Sequence, residues 1–220
     1  SMSDLTVRYG RPSGGQGGDG GGIDVDNQGT LTLNNVTVTG NTASTYGGGI
    51  SLRNGGTLNL TNAVVSNNYA RNGGGIYGDG AAVVSLTSST VRNNTASTNG
   101  GGVKVMETLT LLDSLVENNT APTGGGMRTQ YATTIINSTI SGNSATSGAS
   151  SDWSGGGGIF NTGVLSITDS FVINNTANTV GGGIRMWPGW EPVHSPMSIQ
   201  ITNTSVTGNS APVDPDCAGC

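Results

Sequence analysis

The sequence predicts an all-β chain, a right-handed single-stranded parallel β-helix of about seven coils with three short strands in each. Three observations point there. Runs of three glycines followed by an apolar residue begin at Gly20, Gly47, Gly73, Gly100, Gly124, Gly156 and Gly181, at intervals of 27, 26, 27, 24, 32 and 25 residues. An asparagine with an alanine two positions beyond it accompanies every run, at Asn41, Asn68, Asn94, Asn119, Asn143, Asn175 and Asn209. Between these landmarks apolar and polar residues alternate, as in Leu31 and Leu33 or Val36 and Val38. A period in the twenties marks a unit too small to bury its own apolar face, which must therefore stack on copies of itself.

Each coil opens on its glycines, which remove Cβ where the chain turns tightly into a first strand carrying Ile23 and Val25. A leucine strand follows, with an inward column of Leu33, Leu60, Leu86, Leu111, Ile135, Ile167 and Ile201. The next corner holds Asn35, Asn62, Ser88, Asp113, Asn137, Asp169 or Asn203, short acceptors suited to bonding their own backbone. A valine strand then runs to the asparagine, preceded each time by Gly40, Asn67, Asn93, Asn118, Gly142, Asn174 or Gly208, the two residue types that most readily accept positive φ. The seven asparagines should stack inward and bond to one another along the axis. Leucine-rich repeats need a helix or extended return where this chain has Gly, Thr, Ser and Asn, and propeller blades need roughly 40 residues. No helix follows the glycines, so a phosphate-cradling loop is excluded as well.

Only 33% of the residues are hydrophobic and 39 are glycine, yet the apolar ones are phased to line one narrow core. The repeat runs from Leu5 to Ala211 and makes residues 1–220 one elongated unit, expected to be a segment of a longer secreted protein. Leu5 and Val7 take the places of Val36 and Val38, and Gly10 that of Asn41, whereas Ser1-Met2 reads as a vector remnant and 212–220 as an irregular tail. Thirteen acids against eight bases, with a pI near 4.5, argue against nucleic acid as a partner, and no apolar run is long enough for membrane insertion. Low lysine, abundant Thr, Asn and Gly and repeat architecture suit an extracellular, secreted or cell-surface location. Cys217 and Cys220 could form a local disulfide, pair with further chain, or supply half a metal site.

GGGI, as in Gly47–Ile50, with a V-x-x-N strand end, as in Val38-Thr39-Gly40-Asn41, resembles the GGA[ILV] and FxxN repeats of the polymorphic outer-membrane protein family and similar bacterial right-handed β-helix surface proteins. Pro215-Asp216-Cys217 resembles the end of the repeat region in such proteins. The resemblance covers nearly the whole chain and implies a secreted or surface-attached passenger, often adhesive, without transferring any catalytic residue. The chain departs from it by carrying Val or Ile in place of the Phe, and by the lack of an autotransporter barrel in these 220 residues.

Catalysis would need paired acids or a carboxylate-bound Ca²⁺ with a base. Asp26, Arg53 and Asp79 fall on successive coils, and the two acids should lie about 9.6 Å apart with Arg53 between them, holding both ionised. This reads as a surface charge ladder. Asp24-Val25-Asp26 lacks the further ligands of a calcium loop, and His194 has no partner for a triad, so neither a cofactor nor a metal is expected. Lys104 and Arg128 are stacked neighbours on the outer glycine-strand face; in water their repulsion is only ~1 kcal/mol, which does not require an anion.

Two insertions break the repeat. Between Asn143 and Gly156 the turn carries Asp152 and Trp153, and after Ile184 come Trp187, Trp190, Glu191 and His194. The two insertions should flank adjacent strands, with Phe160 and Arg185 pointing outward between the tryptophans. The group reads either as a platform for a glycan or a cell-surface protein or as a hydrophobic lid. The function expected is therefore a non-enzymatic adhesive or scaffold segment, the alternative being a carbohydrate-binding or polysaccharide-cleaving β-helix.

Overall fold

A computed structural model describes residues 1–12, 18–148, 153–187 and 197–220. Its strands are all parallel and form a solenoid whose coils each pass through the same faces. The glycine sheet runs from Ile23–Val25 to Cys217–Ala218, the leucine sheet from Met2–Ser3 to Ser198–Thr202, and the valine sheet from Thr6–Arg8 to Ser205–Thr207, each with eight strands among the described residues. A fourth sheet was not expected. Its five strands, Tyr69–Asn72, Thr95–Asn99, Thr120–Ala121, Ser144–Ala145 and Thr176–Ala177, follow the asparagines and direct Ala70, Ala96, Ala121 and Ala145 inward.

The pairing register is the sequence period itself, with Leu33, Leu60, Leu86, Leu111, Ile135, Ile167 and Ile201 in one row. The first six are buried, while Ile201 at the end of the stack is 39% exposed, because no coil covers it from above. The asparagine column is buried throughout. Each Nδ2 donates to the Oδ1 of the next, as from Asn94 to Asn119 at 3.1 Å and from Asn119 to Asn143 at 3.0 Å, and also to a carbonyl of the preceding coil. The same Oδ1 accepts the backbone N–H of the asparagine before it. Positive φ at Gly40, Asn67, Asn93, Asn118, Gly142, Asn174 and Gly208 makes the bend that aims these amides inward.

The middle glycine of each run is excluded from carrying a side chain by its neighbours: a Cβ on Gly101 would stand 2.3 Å from the Gly125 carbonyl oxygen and 2.6 Å from the Thr120 carbonyl carbon. The corner residues Asn35 to Asn203 also adopt positive φ, but Asn35, Asn137 and Asn203 use their side chains to reach the preceding coil and not their own backbone, donating to Asp4, Asp113 and Asp169. Beside them runs a second ladder: Ser89, Ser114, Ser138, Ser170 and Thr204 each accept an N–H from the coil before.

Both ends are more ordered than expected. Met2, set aside as a remnant, pairs with Leu33, while Val7 pairs with Val38 and Gly10 donates to Asn41 as anticipated. The tail 212–220 contributes the last strand of the glycine sheet and a disulfide between Cys217 and Cys220. Asp216 occupies the next place in the asparagine ladder, its Oδ1 accepting both the backbone N–H and Nδ2 of Asn209. An aspartate accepts but has no amide to pass on, so it terminates the ladder.

Candidate functional site

The outer face of the glycine sheet carries the side chains that the core does not use. In register along it stand Asp24, Ser51, Tyr77, Lys104, Arg128, Phe160 and Arg185. Their neighbours Ile76, Val103, Met127, Ile159 and Ile184 fill the interior, so period-two alternation turns this row outward. Outward does not mean exposed. Tyr77 and Phe160 are 3% and 0% exposed although neither belongs to the core cluster, because a second layer of side chains covers them.

At the lower coils that layer is acidic. Arg53 pairs with Asp19 at 3.0 Å, Asp24 at 3.5 Å and Asp26 at 3.7 Å. It does not bridge Asp26 and Asp79 as expected: Asp79 accepts the Asn54 N–H and the Tyr77 hydroxyl instead. The acid that Arg53 meets most closely, Asp19, precedes the glycine run and was missed, since its column holds no charged residue in other coils. Burial raises the pKa of Asp19 against the pull of Arg53. Asp26 is lowered, first by the Asn54 side chain, then by the Asn27 N–H. The Asp24-Val25-Asp26 pair thus serves a guanidinium, and among the described residues no group of three or more His, Cys, Asp or Glu is placed to hold a metal. Tyr46 stacks on Tyr77 with centroids 4.3 Å apart, between the coils of Arg53 and Lys104.

At the upper coils the layer is cationic and aromatic. Lys104 Nζ donates to Asn72 Oδ1 at 3.1 Å and lies 5.4 Å from the Tyr77 ring centroid. Arg128 donates to Asn99 Oδ1, and Asn99 in turn donates to Asn72 at 3.0 Å, so a pair of stacked amides carries both cations. The Arg128 guanidinium lies 5.1 Å from the Trp153 centroid and 5.3 Å from that of Phe160. Trp153 is held by Thr123, whose hydroxyl donates to its carbonyl, and its ring meets Trp187 at 4.3 Å and 57°. Burial lowers the pKa of Lys104 to about 8, with Arg128 adding to the effect, and that of Arg128 to about 10. Between them opens a cleft of about 160 Å³, lined by Lys104, Met106, Arg128, Gln130 and Trp153 among others.

The structure therefore brings Trp153 and Phe160 together around Arg128, with Trp187 against Trp153 and Arg185 next to Phe160 in register. Phe160, expected to help form an open platform, is instead its buried floor. Trp190, Glu191 and His194, like Asp152, lie outside the described residues. Sequence reasoning missed Asn72 and Asn99, for which register with the neighbouring coils was the available signal.

The comparison with curated proteins and that with solved structures each returned no match. A family model described as right handed beta helix region matches residues 15–212, nearly the full length of the stack. Stacked parallel coils, a buried asparagine ladder and this match agree, and the chain belongs to the right-handed β-helix family.

Proposed function

We propose that this chain is a non-enzymatic binding segment of a secreted or cell-surface protein, adhesive or scaffold-like, that engages a glycan or a protein through the Trp153–Trp187 end of the glycine sheet. The observation that carries the reading is the aromatic layer outside the core: Trp153 is 40% exposed, packed at a tilt against Trp187 and seated on Arg128, beside a cleft. A side chain of that size held in the open contributes little to folding and much to a contact, where Trp and Arg dominate binding energy. The resemblance to polymorphic outer-membrane repeats supports the surface setting. Tryptophan fluorescence is the test. In the free protein acrylamide should quench a substantial part of the emission, and a glycan found on an array of surface sugars should protect it. Absence of any protecting glycan or surface protein, together with a fall in melting temperature as the only effect of Trp153→Ala, would make the tryptophans a lid.

One observation favours the enzymatic alternative. Asp19 is raised and Asp26 lowered at a shared guanidinium, the divergence expected of an acid and its partner. Yet both carboxylates are engaged by Arg53, which suits a closed ion-pair network better than a pair facing substrate. Pectin, pectate, alginate and xylan should accordingly remain intact with or without Ca²⁺; turnover abolished by Asp19→Asn would establish the enzyme instead.

A further inference from the structure

The cleft beside Trp153 contains two cations whose partners among the described residues are all neutral. Lys104 donates to an asparagine oxygen and faces a tyrosine ring, while Arg128 donates to another asparagine oxygen and faces two aromatic rings. They are cross-strand neighbours on adjacent coils, and both are half-buried. The ion pairs formed between described residues, those of Arg53, include neither Lys104 nor Arg128. The carboxylate that acts on Lys104 is Asp79, which is already bonded to Tyr77 and Asn54, while Arg71 adds a further positive charge. Two like charges partly withdrawn from water at neighbouring positions repel more strongly than on a wet surface, where solvent would absorb the repulsion. Such an arrangement persists where something of opposite charge is bound for part of the time, or where function needs the site to wait for it.

We infer that the Lys104–Arg128 cleft is a binding site for an oxyanion, a carboxylate, sulfate or phosphate group, with Trp153 stacking on whatever carries that group. The inference rests on the binding role proposed above and specifies the chemistry of its ligand. Arg128 offers a planar fork that matches two oxygens, Lys104 a point charge, and Gln130 at the rim a neutral amide for a hydroxyl. The cleft of about 160 Å³ has room for the anionic group and part of one ring, not for a long segment. The amide pair Asn72–Asn99 fixes both cations from below, so the site is preformed.

Calorimetric titration of the intact chain with sodium sulfate, sodium phosphate, glucuronate and glucose, each at two ionic strengths, tests it. One or more of the three anions should bind, glucose should bind at least tenfold more weakly than glucuronate, and higher salt should weaken every anion. Glucuronate well above sulfate and phosphate identifies a sugar-borne carboxylate; the reverse identifies a free inorganic anion, and either supports the site. Lys104→Met and Arg128→Met should each lower affinity about tenfold, while Arg92→Gln on the valine sheet should change nothing. Arg128→Lys, which keeps charge but loses the fork, covers the case in which Arg128→Met fails to fold. Anion binding unchanged in Lys104→Met and Arg128→Lys, or absent from the parent altogether, overturns the inference. Trp153→Ala separates it from the platform: loss of sugar but not sulfate binding leaves the anion site standing without the platform, and glucose binding as tightly as glucuronate leaves the platform standing without the anion site.

Discussion

At the scale of single residues, the asparagine ladder shows how a buried polar group becomes a stabilising element. Asn119 accepts two hydrogen bonds from Asn94 and donates to Val91 and Asn143, so every valence of its amide is used in a dry interior. Truncation would strand the backbone N–H of Asn94 and remove a bond from each of Asn94 Nδ2, Val91 and Asn143, and a stranded buried group costs more than a hydrogen bond contributes. Asn119→Ala is expected to destabilise by about 3 kcal/mol, read as a lower urea midpoint with unchanged slope. Asp216→Ala removes only the terminal acceptor at a partly open position and should cost about 1 kcal/mol. Lys104 works in the opposite direction. The unfolded lysine keeps its proton to about pH 10.5 and the folded one releases it near 8, so the unfolded state binds more protons in that window and stability rises with pH across it. Burial sets most of the effect; of the groups facing the same ammonium, Arg128 and Arg71 add to it, Asp79 opposes it, and Tyr77 presents its ring. At pH 7 Lys104→Met should therefore melt higher than the parent, with the difference shrinking as pH passes 8 toward 10. A variant that melts lower at pH 7 would show that the ammonium is structurally required.

At the scale of elements, the glycine strand and its entry turn control the pitch of the whole stack. The backbone of the following coil passes where a Cβ of Gly101 would sit, and backbone cannot move aside without breaking the ladder. Gly101→Ala should cost several kcal/mol and expose apolar surface, whereas Gly148→Ala, with nothing within 4 Å, should fall within about 0.5 kcal/mol of the parent. Thermal melts of the two proteins side by side check both. These positions also show what was legible in the sequence. Glycine runs and asparagines recur with strict identity in every coil, and a leucine or isoleucine keeps its place between them although the interval varies from 24 to 32 residues, so the coil, its register and its inward columns could be read directly. The fourth sheet could not, because strands as short as Thr120–Ala121 and Ser144–Ala145 have no alternation to detect. Nor could the serine ladder, whose column begins with Val36 and Ala63 before turning to hydroxyls. At the site, period two correctly turned Lys104, Arg128 and Phe160 outward, but alternation says nothing about a second layer above a sheet. The burial of Phe160 beneath Arg128 and the desolvation of the two cations therefore became visible only with the insertion residue Trp153 in place.

At the scale of the whole molecule, the coils form a one-dimensional array whose glycine-sheet side is net acidic at the lower coils, where Asp19, Asp24, Asp26 and Asp79 surround Arg53, and carries Lys104, Arg128 and Arg185 at the upper ones. Contacts are almost entirely between adjacent coils, so stability is a sum of coil and neighbour terms and opening starts where a neighbour is missing. Central coils have one on each side: the Thr108–Leu112 strand is paired with Val83–Thr87 and with Ala132–Ile136. The Ser198–Thr202 strand has one partner, and its Ile201 and the nearby Phe171 are 39% and 52% exposed. Amide hydrogen exchange should accordingly be slowest for Val84, Leu86, Leu109 and Leu111, and faster toward both ends, with Ile199 and Ile201 exchanging at least a hundredfold more readily than Leu111. Asn119→Ala should accelerate exchange in the central coils while scarcely changing the upper end, which already opens independently. Uniform protection from Leu33 to Ile201 would instead mean that the stack opens only as a single cooperative unit, and that the last coil is covered in solution by a contact of its own.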